Sequence, residues 1–182
     1  MNVHDLISPA YLTQNRMIHE GKGHWGGSGW KHAEVIQEFG KRIRARSILD
    51  YGCGECSLRK MFGKIGYHVT LYEYDPAVFT RARLPKYPVD LVVCTDVLEH
   101  IEPDKLATVL KHIRSLATKG IYLSIATRPA NKILPDGRNA HLIIEDTPWW
   151  RKQVETIGFK VEREEDVRKG DVPREVRYWL VK

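Results

Sequence analysis

The chain is poor in cysteine and lacks any long hydrophobic run, and each shortage closes off a class of protein. Three cysteines in 182 residues, an odd and small number, do not suggest a disulfide scaffold. A reducing cytoplasm is the expected location. No apolar stretch approaches the ~20 residues that span a bilayer. The opening Met1-Asn2-Val3-His4-Asp5 has no basic start followed by an apolar run, so no signal peptide is expected there. Internal repeats, low-complexity tracts, linkers and dense Lys/Arg blocks are absent too. What is present, 42% hydrophobic and 29% charged residues, is the balance of a soluble globular domain. A length of 182 residues supports one core and not two. The expectation is one domain over residues 1–182, with residues 1–45 forming N-terminal helices placed to act as a lid. The net charge of +6 admits an anionic partner such as nucleic acid or a phosphorylated substrate. The basic residues are spread along the chain, however, and a mildly basic solvated surface accounts for them.

Periodicity divides the chain into alternating elements. Asp5 to Glu20 has helical spacing, with Pro9 limiting its first turn. Five glycines among the nine residues Gly21 to Gly29 demand a loop. A second helix runs from Ser28-Gly29 to Gly40. Ser47 to Asp50, Tyr67 to Tyr74, Val89 to Cys94 and Gly120 to Ala126 read as strands. Ser57 to Phe62, Pro103 to Leu116 and Thr147 to Ile157 read as helices. Phe159 to Val161 and Arg177 to Val181 read as two last strands joined by a charged connection, and so antiparallel. Strands alternating with helices predict a mostly parallel α/β sheet covered on both faces. Ligands of such sheets sit outside the carboxyl ends of the central strands.

Three segments carry chemistry at that edge. Asp50-Tyr51-Gly52-Cys53-Gly54 closes the first strand. Its glycines allow a tight turn, and the next helix directs free N–H groups at a ligand. Tyr72-Glu73-Tyr74-Asp75-Pro76 closes the second strand with a carboxylate able to accept hydrogen bonds from ribose hydroxyls. Glu73 and Asp75 share a face, and either fits. Asp96, Glu99 and His100 follow the third strand, three ionisable groups close behind an apolar run. The Cys53-x-x-Cys56 spacing also fits a metal or redox pair, but no second pair completes four zinc ligands. Cys94 belongs to a buried strand.

Taken together, Leu49-Asp50-Tyr51-Gly52-Cys53-Gly54, the acidic end of the second strand and Asp96-Val97-Leu98-Glu99-His100-Ile101 resemble the class I S-adenosylmethionine (SAM)-dependent methyltransferases. Within that class they are most similar to the ubiquinone-pathway group, over about Ser28 to Phe159. The resemblance implies a Rossmann-like sheet and SAM as cofactor. It implies that Gly52, Cys53 and Gly54 line the cofactor, that Asp50 supports the turn or approaches the cofactor amine, and that Asp96 and Val97 lie near the reacting centre. The separation of Asp50 from Glu73 matches the family's ribose carboxylate, and the Asp75-Pro76 pair resembles it as well. Lys31 and Ser28 are placed to reach the SAM carboxylate. Two departures stand out: Cys56 replaces the third motif glycine, and only Pro76 to Pro88 fills a region where the family fits a helix, a strand and another helix. One sheet edge is therefore expected to be shortened, and no adenine contact is assigned.

The loop from Arg128 to His141 borders the acceptor pocket in this family. Arg128, Arg138 and Asn139 are the candidate substrate contacts, and His141 and His100 the candidate acid/base groups. Tyr11, Asn15, His19 and Trp25 would meet the acceptor if the N-terminal segment closes as a lid. Trp149 and Trp150 are expected in the core. The acceptor is expected to be a small molecule, sugar or lipid head group, with methyl transfer to oxygen or nitrogen. RNA as acceptor and a non-catalytic SAM-binding subunit are the alternatives. Asp96, Glu99, His100 and His141 also outline an oxygen/nitrogen metal site, although hydrogen bonding in a metal-free site accounts for the same residues.

Overall fold

A computed structural model describes residues 2–21 and 26–182. Six strands form one sheet: β1 (Ser47–Tyr51), β2 (Thr70–Tyr74), β3 (Val89–Thr95), β4 (Ala117–Ala126), β5 (Lys160–Lys169) and β6 (Val172–Val181), in the order β2-β1-β3-β4-β6-β5. The first four are mutually parallel, and β6 runs antiparallel to both β4 and β5. The expected Rossmann-like sheet with an antiparallel C-terminal end is what forms. β2 is an edge strand, as the short Pro76 to Pro88 segment requires; that segment supplies a single 3₁₀ turn, Phe79–Arg81.

Both faces of the sheet are covered because its central strand is apolar on both. Leu91, Val92, Val93 and Cys94 are wholly buried. On one face α5 (Leu106–Leu116) and α6 (Thr147–Glu155) pack Leu110, Ile113, Trp150 and Val154 against Leu49, Val92 and Leu123. On the other, α3 (Ala33–Arg42) and α4 (Ser57–Lys64) pack Ile36, Phe39, Leu58 and Phe62 against Ile48, Leu91 and Tyr122. Trp150 is core, as expected, and Trp149 packs beside it.

The N-terminal helix is broken, with α1 (Val3–Leu6) separated from α2 (Pro9–Glu20) at Ile7-Ser8. Proline at the first helical position cannot extend the preceding turn, and Ser8 caps the new helix by accepting the Tyr11 N–H. Helix α2 then lies across the sheet's carboxyl edge, where Ile7, Tyr11 and Leu12 pack with Ala77, Leu134 and Ala140. The expected second helix opens as a 3₁₀ turn, Gly29–His32.

One expectation is corrected. The charged connection after Val161 is strand: β5 continues to Lys169 and β6 begins at Val172, making one long hairpin. The outer strand is solvated on both faces, so it has no apolar alternation to read. Its charges pair instead, Glu165 with Arg177 at 3.6 Å, and Arg163 stacks on the Trp179 ring at 4.4 Å.

Candidate active site

The carboxyl ends of β1, β2, β3 and β4 and the start of β6 open into a cavity of about 530 Å³, roofed by α1 and α2. Gly52, Asp75, Asp96, Val97, Glu99, His100, Arg128 and His141 line it, with Ser28 and Lys31 from the segment before α3. Leu6, Ile7, Tyr11, Asn15 and His19 close the top. Trp25 lies outside the described residues.

The glycine turn is held by its backbone. The Gly52 and Cys53 N–H groups both donate to the Tyr74 carbonyl, at 2.7 and 3.1 Å. Gly52 has φ +81°, and a Cβ added there would lie 2.4 Å from Val97 Cγ2, so the turn and the Val97 corner touch. Gly54 N–H donates to Asp75 Oδ2 at 3.2 Å, and Ala77 N–H donates to Asp75 Oδ1 at 2.9 Å. Asp75 thus lines the cavity while tied to the turn. Glu73 is drawn elsewhere, 2.9 Å from Arg59 and 3.8 Å from Arg81, and it is not among the lining residues. Asp50 lies beneath the turn. Burial, reinforced by Cys56, Glu73 and Asp75, pushes its carboxyl up to about 8. Cys53 and Gly54 are also absent from the lining; their contribution is to shape the turn.

The corner after β3 is strained. Asp96 has φ +54°, its N–H donates to the Ser124 carbonyl at 3.0 Å, and its carboxylate accepts from Ser28 Oγ. Glu99 is fully buried; its Oε1 accepts from Ala126 N–H at 3.0 Å, and its Oε2 has no hydrogen-bond partner. Burial, with Asp96 nearby, pushes the Glu99 carboxyl well above the usual range.

His100 and His141 stand edge to face, ring centroids 4.8 Å apart. Each Nδ1 meets a backbone carbonyl, His100 with Ala140 at 2.7 Å and His141 with Arg128 at 2.5 Å. A carbonyl only accepts, so both Nδ1 atoms carry the proton and both Nε2 atoms hold the lone pair. Burial keeps the two rings neutral, lowering His141 and taking His100 down to about 4.

The loop after β4 contributes unevenly. Arg128 and His141 line the cavity, whereas Arg138 and Asn139 do not. Arg138 pairs with Asp136 at 2.7 Å and stacks over Tyr11. Asn139 exchanges two hydrogen bonds with the Ala130 backbone and accepts the His141 N–H. Asn139 therefore orients His141 and Arg138 braces the roof. The roof is seated by Tyr11 Oη–H on the His100 carbonyl at 2.9 Å and Ser8 N–H on Glu102 at 2.8 Å. Arg174 and Glu175 also line the cavity, as does Lys132. Sequence reasoning missed the first two because they sit in the segment read as a connection. The β6 alternation through Val176, Tyr178 and Leu180 was the signal that would have found them.

Residues 30–167 match a family model described as a methyltransferase domain. A curated relative from Mycolicibacterium smegmatis, named as a probable S-adenosylmethionine-dependent methyltransferase, is 26% identical over 158 residues. The match covers 72% of this chain, and the chain spans only 59% of that relative's length. Among solved structures, the Burkholderia thailandensis 1,6-didemethyltoxoflavin-N1-methyltransferase aligns with TM-score 0.67 at 15% identity, covering 95% of this chain and 88% of that one. The magnesium protoporphyrin IX methyltransferase of Synechocystis aligns with TM-score 0.56 at 18% identity, covering 99% and 98%. The methyltransferase domain of a bacterial Hen1 aligns with TM-score 0.57 at 17% identity, covering 83% and 97%. Sheet order, glycine turn and family match agree: the chain belongs to the class I SAM-dependent methyltransferases.

Proposed function

We propose that the cavity holds SAM against the Gly52 turn and that the chain transfers its methyl group to an oxygen or nitrogen of a small molecule, sugar or lipid head group. The observation that carries this reading is the convergence of the Gly52 turn, Asp75, the Asp96-Val97 corner and two neutral histidines on one roofed cavity. Asp75 is the carboxylate for the ribose hydroxyls, because it faces the cavity while Glu73 is engaged by two arginines. Ser28 and Lys31 receive the amino-acid end of SAM. The acceptor lone pair attacks the methyl carbon, the carbon–sulfur bond breaks, and S-adenosylhomocysteine (SAH) departs neutral at sulfur. SAM is already activated by its sulfonium charge, so the protein mainly aligns the reactants. A hydroxyl acceptor gives its proton to Nε2 of His141 or His100, each held in the required tautomer by its carbonyl. A roof resting on the acceptor loop suits a compact acceptor. Calorimetry with SAH, then labelled SAM incubated with separated small-molecule, lipid and RNA fractions of a cell extract, tests this. Label in a small-molecule or lipid product supports it. Label confined to RNA, or no SAH binding, overturns it.

A second reading is favoured by the orphaned Glu99 Oε2. Glu99, His100 and His141 offer one carboxylate oxygen and two ring nitrogens within 4.8 Å of one another. Histidines that donate Nδ1–H to carbonyls are oriented as metal ligands usually are, and this donor set suits a divalent cation such as Mn²⁺. Bound there, the ion would supply Lewis acidity to an acceptor oxygen. Glu99→Gln keeps the shape and removes the carboxylate that would bind the ion. Under this reading it abolishes Mn²⁺ binding by calorimetry; absence of Mn²⁺ binding by the unmodified protein removes the reading.

A further inference from the structure

The cofactor turn carries two thiols that the proposed transfer does not use. Cys56 N–H donates to the Cys53 carbonyl at 2.8 Å, closing a tight turn that brings the two Sγ atoms to 3.9 Å. Such a turn keeps its end Cα atoms within about 7 Å, within reach of a disulfide whose Cα atoms lie about 4.4 to 6.8 Å apart. The two thiols are unequal. Cys53 is buried, while Cys56 is half-buried, sits at φ +56°, and has Arg81 Nε–H directed at its sulfur from 3.3 Å. A guanidinium beside a partly exposed sulfur is the setting of a reactive thiolate. The Cys53 hydrogen bond and Arg81 together bring the Cys56 thiol down to about 7. Cys94 is wholly buried and its thiol is pushed well up.

We propose that Cys53 and Cys56 form an oxidation site for small peroxides, and that closing their disulfide withdraws the cofactor turn from SAM. The Cys56 thiolate attacks one peroxide oxygen. The O–O bond breaks, hydroxide leaves to become water, and a sulfenic acid remains. Cys53 sulfur then attacks Cys56 sulfur, the S–O bond breaks, and the departing hydroxide leaves as water with the Cys53 proton. Two thiols have lost two electrons and one peroxide has gained them.

The consequence for the cofactor follows from how little slack the turn has. The sulfurs must close from 3.9 Å to about 2.0 Å. One side of the turn is fixed to the Tyr74 carbonyl and Asp75. The other is jammed against Gly26: a Cβ on Gly54 would fall 2.6 Å from the Gly26 carbonyl oxygen, and Glu55 N–H donates to that oxygen. With both sides held, closure strains the Gly54 N–H bond to Asp75, the carboxylate proposed to hold the ribose. This consequence rests on reading the turn as the cofactor seat.

The test treats the full chain with hydrogen peroxide and follows intact mass, with SAH affinity measured before and after. The expected result is loss of the mass of two hydrogens, a tenfold or greater drop in SAH affinity, and recovery of both with dithiothreitol. Cys53→Ser stops at a sulfenic acid trapped by dimedone, and Cys56→Ser stays unmodified. A chain that keeps its full mass under excess peroxide, or a Cys56→Ser chain that oxidises as fast as the parent, overturns the site. Disulfide formation with unchanged SAH affinity overturns the coupling. A reduced chain that never binds SAH refutes the proposed function instead, and the mass readout still decides the oxidation site.

Discussion

Replacing Gly52 with alanine tests the turn at its tightest point. Two penalties add there. The residue sits at φ +81°, a left-handed conformation that costs a residue with a Cβ about 1–2 kcal/mol. The new methyl also lands 2.4 Å from Val97 Cγ2 and 3.0 Å from Cγ1, contacts that must be relieved by moving a packed corner, at about 1–3 kcal/mol. Their sum, about 2–5 kcal/mol, lowers the melting temperature by roughly 4–20 °C for a chain of this size. Differential scanning calorimetry reads the drop, and titration with SAH reads whether the displaced corner still accepts the cofactor. The two penalties separate in a double-mutant cycle. Val97→Ala removes the methyls being struck and leaves the backbone cost, so Gly52→Ala should cost about 1–3 kcal/mol less in that background. An unchanged melting temperature, or an identical drop with and without Val97, refutes the close-packed turn.

The ribose assignment predicts that Asp75→Asn weakens SAH binding at least tenfold, on the order of 1.4 kcal/mol, while Glu73→Gln changes thermal stability more than SAH affinity; the reverse pattern in calorimetry moves the ribose to Glu73. The histidine assignment predicts that the acid limb of kcat/KM falls below the ordinary histidine value of about 6.5. A limb at or above that value excludes both rings as the base. For stability the sign is the same: His100 titrates lower folded, at about 4, than unfolded. Its contribution is present above about pH 6.5 and is lost as the pH falls through that lower value. His100→Asn should flatten acid unfolding in that window, read by circular dichroism.

How much of this was legible in the sequence depends on which residues face one environment throughout. The strand run Leu91 to Cys94 and the helical spacing of Leu106, Val109, Leu110 and Ile113 are legible because each faces a continuous core. The glycine turn is legible because φ above zero at Gly52 and Gly54 restricts the residue type. The β5–β6 hairpin was not, because its outer half is solvated and its charges carry no period. The roles of Arg138 and Asn139 were not either. A polar loop residue looks the same in sequence whether it points into a cavity or ties its own loop, and Asn139 ties the loop through Ala130 and His141.

Backbone strain offers a further check on where function sits. Among the described residues, three other than glycine have positive φ: Arg44, Cys56 and Asp96. Arg44 closes the turn after α3, with its N–H on the Lys41 carbonyl. The other two lie at the glycine turn and at the β3 corner. Each such residue costs on the order of 1–3 kcal/mol and persists where surrounding structure imposes it. Aspartate and asparagine tolerate this region better than alanine, and glycine better still. Asp96→Asn should therefore keep the melting temperature near that of the parent, Asp96→Ala should lower it, and Asp96→Gly should fall between them or above. If the carboxylate is there for chemistry, all three variants lose SAH affinity or methyl transfer regardless of that ranking. If it is there only to make the turn, function tracks stability and Asp96→Asn remains fully active. That outcome would leave the strained corner a feature of folding and remove Asp96 from the transfer site.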